Sequence, residues 1–163
     1  YSCNDVLLVF QKKMIPPDIQ NLLSVGWSTL LALLVNFLIT LFYFHPRPFM
    51  IYMGKLLIPH GTETSFPSDH ATFMFSIAFA FIIHDEFRII GIVFSLFALI
   101  GGMARMFAGV HFPFDIAGSM GVSLISSIII YALKDLILPM NKRLVEFYKN
   151  LLSRLDPKYL KDK

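Results

Sequence analysis

Long apolar runs broken by short polar clusters set the pattern of this chain. Leu22 to Phe44, Ile89 to Val110 and Ile116 to Ile137 are nearly free of charge. Each is long enough to cross a bilayer core, which takes roughly 20 residues of helix. A fourth run, Ala71 to Ile83, reaches that length only if Pro67 to His70 form its first turn, which puts that cluster at a membrane boundary. Prolines mark the ends. Pro16, Pro17 and Asp18 precede the first complete helix, and Pro46 and Pro48 end it, because proline disfavours helix at its own position and at the one before. Pro113 suits the first turn of the last spanning helix, and His84 to Arg88 read as a tight turn on the opposite side. The predicted fold class is all-α, a polytopic transmembrane helical bundle.

The flanking segments extend this picture. Val6 to Phe10 is an apolar stub before Lys12 and Lys13; it reads as the end of a longer helix cut off upstream, and it lacks the leader and cleavage site of a complete signal peptide. Phe49 to Phe66 mixes Gly54, Pro59, His60 and Glu63 with Ile51, Tyr52, Leu57 and Ile58. It is either a flap on the membrane surface or a plain connector. Residues 140–163 form a basic amphipathic tail suited to an anionic inner leaflet, and with no internal repeat the chain reads as a single domain over 1–163.

Composition agrees with the runs: 56% hydrophobic residues, 17 Phe and only 15% charged residues are not the make-up of a soluble domain. The single cysteine, Cys3, excludes an internal disulfide and a cysteine-rich metal site. Charge adds orientation. Of the 14 Lys and Arg residues only Arg47, Lys55 and Arg105 fall on the side opposite Lys12, Lys13, Arg88 and the tail. By the positive-inside bias, the clusters near Arg47 and Arg105 face the extracytoplasmic side.

Three clusters carry the candidate chemistry: His45-Pro46-Arg47-Pro48, Pro67-Ser68-Asp69-His70, and Arg105 followed by His111 and Asp115. Alternation of the helices places all three at one membrane face, and ionisable groups at that depth are functional candidates. His111 and Asp115 are one helical turn apart, so the carboxylate is suited to accept from one ring nitrogen and leave the other nucleophilic. The structural alternative is a helix-start aspartate balancing the dipole. Arg47 and Arg105 match phosphate oxygens with a planar, permanently charged fork, or else reach lipid headgroups as snorkelling side chains. Ser68 and His70 lie at a helix start that favours an anion; Ser68 is suited to donate to phosphate and His70 to protonate a leaving oxygen, while capping by Ser68 or Asp69 is the structural option. Asp69 is assigned to capping or to tuning His70. His45 either touches substrate or is an interfacial histidine without chemistry. Asn36 and Thr40 are placed to bond between helices. Asp69 and Asp115 alone are too few for a metal site.

In order and spacing these clusters resemble the three-part signature of the phosphatidic acid phosphatase type 2 superfamily: Arg47-Pro48, then Pro67 to His70 as Pro-Ser-x-His, then Arg105, His111 and Asp115. More narrowly, Asn36 to Thr40, Phe44 to Phe49, Leu57 to His60 and Ser65 to His70 look like the bacitracin-resistance type of undecaprenyl-diphosphatase. The resemblance runs from about Gly26 to Leu138. It implies dephosphorylation of undecaprenyl diphosphate on the outer side of the bacterial cytoplasmic membrane, with His111 as nucleophile forming a phosphohistidine, Asp115 orienting it, His70 as general acid, and Arg47, Ser68 and Arg105 binding phosphate. It further implies a metal-independent reaction without a cofactor, a polyprenyl diphosphate or related lipid as substrate, membrane lipids as surroundings and no nucleic-acid partner. Phosphatidic acid or phosphatidylglycerol phosphate as substrate is the alternative, and a non-catalytic polyprenyl-lipid-binding protein is another. Two positions depart from the superfamily: Thr40 stands where a lysine is common, with Lys55 as the candidate replacement cation, and Ala104 stands where serine is common.

Overall fold

A computed structural model of the chain describes residues 17–53, 55–59 and 61–155; the stub at Val6 to Phe10, Lys12, Lys13, Gly54, His60 and the last eight residues of the tail lie outside them. The described elements are helical: α1 (Pro17–Phe42), α2 (Asp69–Ile83), α3 (Arg88–Phe107), α4 (Pro113–Ala132) and α5 (Lys134–Leu155), with 3-10 turns at Pro48–Ile51 and Asp85–Phe87. Residues 24–131 form one compact unit that holds every candidate site residue, and 17–23 with 132–155 belong to a second.

Among the described residues three helices are long and apolar enough to cross a membrane: Ile19–Phe42, Asp85–Phe107 and Pro113–Ala132. The 15-residue α2 spans only about 22 Å at 1.5 Å per residue. Its first turn begins at Asp69, so Pro67 and Ser68 precede the helix. Pro17 and Pro113 open α1 and α4, where a missing N–H costs nothing. The apolar run that continued to Ile137 in sequence is divided at Leu133, and Pro139 lies inside α5 instead of preceding it.

The unit 24–131 is inverted relative to a soluble protein. Large apolar side chains such as Ile89, Phe97, Leu41 and Ile125 are exposed, while Ser28, Asn36, Thr72, Ser76, Ser119 and Ser123 are buried. In hydrocarbon, helices gain nothing by hiding leucine from lipid, so small residues and interhelical hydrogen bonds make the contact. Ser123 Oγ donates to the Thr72 carbonyl at 2.9 Å, and Thr72 Oγ1 donates to Asn36 Oδ1 at 3.0 Å, tying α4 to α2 and α2 to α1. Ser76 Oγ and Thr29 Oγ1, 3.2 Å apart, repeat the α1–α2 link one turn deeper. A small apolar cluster of Ala71, Phe75, Ala98 and Ile116 joins α2, α3 and α4.

Candidate active site

The segments outside the helices fold back on one another and build the site. After α1 the chain is extended, and His45 pairs with the far end of the long loop: the Ser65 amide donates to the His45 carbonyl at 2.8 Å, and the His45 amide donates to Thr64 Oγ1 at 3.0 Å. The loop middle is tied to the α3–α4 link, where the Leu57 amide donates to the Ala108 carbonyl at 3.2 Å. Gly109 makes this approach: its φ is +75°, and a Cβ there would fall 2.6 Å from the Lys55 carbonyl oxygen. Gly118 similarly lets the Phe66 ring lie on α4, where it stacks on Phe114 with centroids 5.1 Å apart.

Arg47 fastens these pieces together. Its Nε donates to the Glu63 carbonyl (3.0 Å), one terminal nitrogen to Val110 (3.2 Å) and the other to Thr64 (3.1 Å). Three of its five N–H bonds thus hold backbone, and two remain for another acceptor. The side chain is buried but does not snorkel to a surface. Burial pushes its guanidinium below the ordinary value and Glu63 pulls it back, which leaves it charged throughout the neutral range.

A cavity of about 400 Å³ is lined by Phe37, Thr40, Arg47, Glu63, Thr64, Pro67, Asp69, His70 and His111. Residues from all three polar clusters therefore meet at one place. Arg105, half-buried in the last turn of α3, is close enough to interact electrostatically with Arg47 and Asp69. Lys55 is exposed and does not line the cavity. Ala104 is exposed on α3. Thr40 donates to the carbonyl of Phe37 in its own helix at 2.7 Å, while Asn36 makes the interhelical contact.

His111 precedes α4 instead of lying within it, so the four-residue spacing to Asp115 acts across a helix start. Asp115 sits in the first turn and its Oδ2 accepts from the Phe112 amide at 2.7 Å, half of a capping box. The same oxygen accepts from Ser65 Oγ at 2.5 Å and lies 3.4 Å from His111 Nδ1. The helix-start contact and the approach to His111 thus fall on one oxygen of Asp115. The shorter contact of His111 is to the Ser65 carbonyl, 2.9 Å from Nδ1. A carbonyl oxygen only accepts, so Nδ1 carries a proton, and in the neutral form of the ring Nε2 is the nitrogen with the lone pair.

The capping roles expected at the second cluster are not taken up. Ser68 is the N-cap of α2 by backbone geometry, but its hydroxyl makes no cap bond; it is buried without a hydrogen-bond partner, between two residues that line the cavity. The Ser68 amide and carbonyl are held by Ser119 Oγ at 2.9 and 3.0 Å. Asp69 is turned to Asn36, whose Nδ2 donates to Oδ1 at 2.5 Å. Sequence reasoning did not single out Glu63, Thr64 or Ser65. Their roles come from loop closure, which leaves no spacing signal in the sequence. Among the described residues no three His, Cys, Asp or Glu side chains gather as metal ligands.

The sequence model of the PAP2 superfamily matches residues 21–138, which includes all three clusters. The chain belongs to the PAP2 superfamily. Undecaprenyl-diphosphatase BcrC of Bacillus subtilis (strain 168) is 35% identical to this PAP2 chain over 139 residues, covering 85% of it and 71% of the relative. YbjG of Escherichia coli (strain K12) is 29% identical over 101 residues, 62% of this chain and 50% of that one. A bacitracin transport permease protein BcrC of Bacillus licheniformis is 34% identical over 76 residues, 46% of this chain and 36% of that one. No solved structure matches this PAP2 chain.

Proposed function

We propose that this chain is a lipid phosphatase that converts undecaprenyl diphosphate to undecaprenyl phosphate in the bacterial cytoplasmic membrane, as one functional domain with its site facing outward. The observation that carries the reading is the state of His111: buried, lining the cavity, with its Nδ1 proton committed to the Ser65 carbonyl and Asp115 behind it. A neutral imidazole held this way presents Nε2 as a nucleophile. Names borne by relatives supply the lipid, and the skew of basic residues supplies the orientation.

In the proposed reaction His111 Nε2 attacks the terminal phosphorus and the bond to the bridging oxygen breaks, so undecaprenyl phosphate leaves with the electron pair. His70 supplies a proton to that oxygen. Water then attacks the phosphohistidine, His70 takes its proton, and inorganic phosphate leaves with His111 restored. Arg47, Arg105 and Ser68 stabilise charge on the transferring oxygens. Asp115 balances the positive charge of the phosphorylated ring.

The test is phosphate release by purified full-length protein from undecaprenyl diphosphate, phosphatidic acid and phosphatidylglycerol phosphate, with and without chelator, beside His111→Ala. The reading predicts preference for the diphosphate, insensitivity to chelator, and loss of at least about 1,000-fold in the variant. Equal release by variant and wild type sinks catalysis at His111, and preference for phosphatidic acid sinks the substrate. A second reading, a lipid-binding or lipid-moving protein without chemistry, has one observation in its favour, the transport name borne by one relative. It predicts lipid binding with no phosphate release.

A further inference from the structure

Asp115 presents two buried oxygens, and the proposed mechanism uses one. Oδ2 takes the Ser65 hydroxyl, the Phe112 amide and the approach of His111. Oδ1 has no hydrogen bond, but His45 Nδ1 stands 3.4 Å away.

Counting protons fixes the directions in this cluster. Ser65 has one hydroxyl proton, and at 2.5 Å from a carboxylate, which only accepts, that proton points to Asp115. Ser65 Oγ must then accept from His45 Nδ1, 3.2 Å away, so His45 carries its proton on the edge that also faces Asp115 Oδ1. The backbone of the same serine completes the junction: its carbonyl takes the His111 proton, and its amide holds the His45 carbonyl. The His45 ring is itself fixed, stacked beside Tyr43 and edge-on to Phe112 at centroid distances of 6.2 and 5.3 Å. Neither Ser65 nor His45 lines the cavity.

We propose that Ser65 and His45 are positioning residues: together they fix the Asp115 carboxylate, and with it the His111 ring, without touching the substrate phosphate. The idea rests on His111 being the nucleophile. As the ring takes a phosphoryl group on Nε2 it becomes cationic, and the carboxylate 3.4 Å from Nδ1 is its compensating charge. A carboxylate free to rotate would meet that charge only part of the time. The Ser65 hydroxyl and the Phe112 amide hold Oδ2, and the His45 N–H that supports Ser65 stands 3.4 Å from Oδ1, so rotation is opposed from both sides, and networks of this kind act as a unit.

The test is a set of mutant cycles on the full-length protein with undecaprenyl diphosphate. Ser65→Ala should lower kcat about tenfold, the size of one lost hydrogen bond to a charged group, with KM within about twofold. Ser65→Thr, which keeps the hydroxyl, should retain at least about half of kcat. Placed on Asp115→Asn, Ser65→Ala should cost less than about twofold; on Arg105→Lys it should cost the full amount, because only the first pair shares a network. His45→Phe keeps the ring contacts and should lower kcat about threefold with the same coupling to Asp115; it carries the test alone if Ser65→Ala does not fold. An unchanged kcat, a loss confined to KM, or losses that multiply fully with Asp115→Asn would overturn the proposal. Activity in His111→Ala would instead overturn the nucleophile assignment beneath it.

Discussion

Ser123 and Ser68 are both buried serines, one in the seam between helices and one at the mouth of α2, and they differ in what their hydroxyls reach. Ser123 donates to a backbone carbonyl of α2, and Ser119, one turn nearer the cavity, donates to the carbonyl of Ser68 just before that helix. Ser68 buries a hydroxyl that bonds to nothing among the described residues. A satisfied polar group inside a membrane protein is glue. An unsatisfied one costs stability and calls for another explanation. The comparison separates structural polarity from the polarity that serves chemistry, although both look alike in a hydropathy profile.

The largest effect that sharpens this contrast is expected at Arg47, which belongs to both regions. Lysine keeps the charge but cannot reach three carbonyls at once, so Arg47→Lys should lower kcat/KM by about 100-fold. It should also lower the thermal unfolding temperature, because Glu63, Thr64 and Val110 lose a shared partner. A variant that loses activity with unchanged unfolding would show that the loops close without the guanidinium.

Smaller effects should divide the two serines. Ser68→Ala is expected to cost about tenfold in kcat/KM with no loss of thermal stability, since it removes a hydroxyl that bonds nothing in the fold. Ser123→Ala should do the reverse, costing about 0.6 kcal/mol of stability with activity unchanged. Unfolding curves in detergent beside initial rates check both, and a stability loss at Ser68 would erase the distinction.

Much of the architecture was legible in the sequence because its rules are local. Apolar runs set by bilayer thickness located the spanning helices, proline marked their starts, and alternation of direction brought Arg47, His70 and His111 to one cavity. What was not legible depends on the loop. Ser65 reaches Asp115 across fifty positions, and its carbonyl holds His111 with a group that every residue possesses. Spacing predicts contacts one helical turn apart; it says nothing of where an eighteen-residue loop returns. The same closure turns His45 towards Asp115 and leaves it outside the cavity lining. It left Lys55 outside the cavity, so the charge absent at Thr40 is not replaced there.

The central claim is that His111 becomes phosphorylated. Rapid quenching of the full-length protein with undecaprenyl diphosphate labelled at its terminal phosphorus should give an acid-labile, alkali-stable labelled protein within the first turnover, with the label on His111 and absent from His111→Ala. Release of labelled phosphate at the wild-type rate with no labelled protein, or label that persists in His111→Ala, would contradict the account.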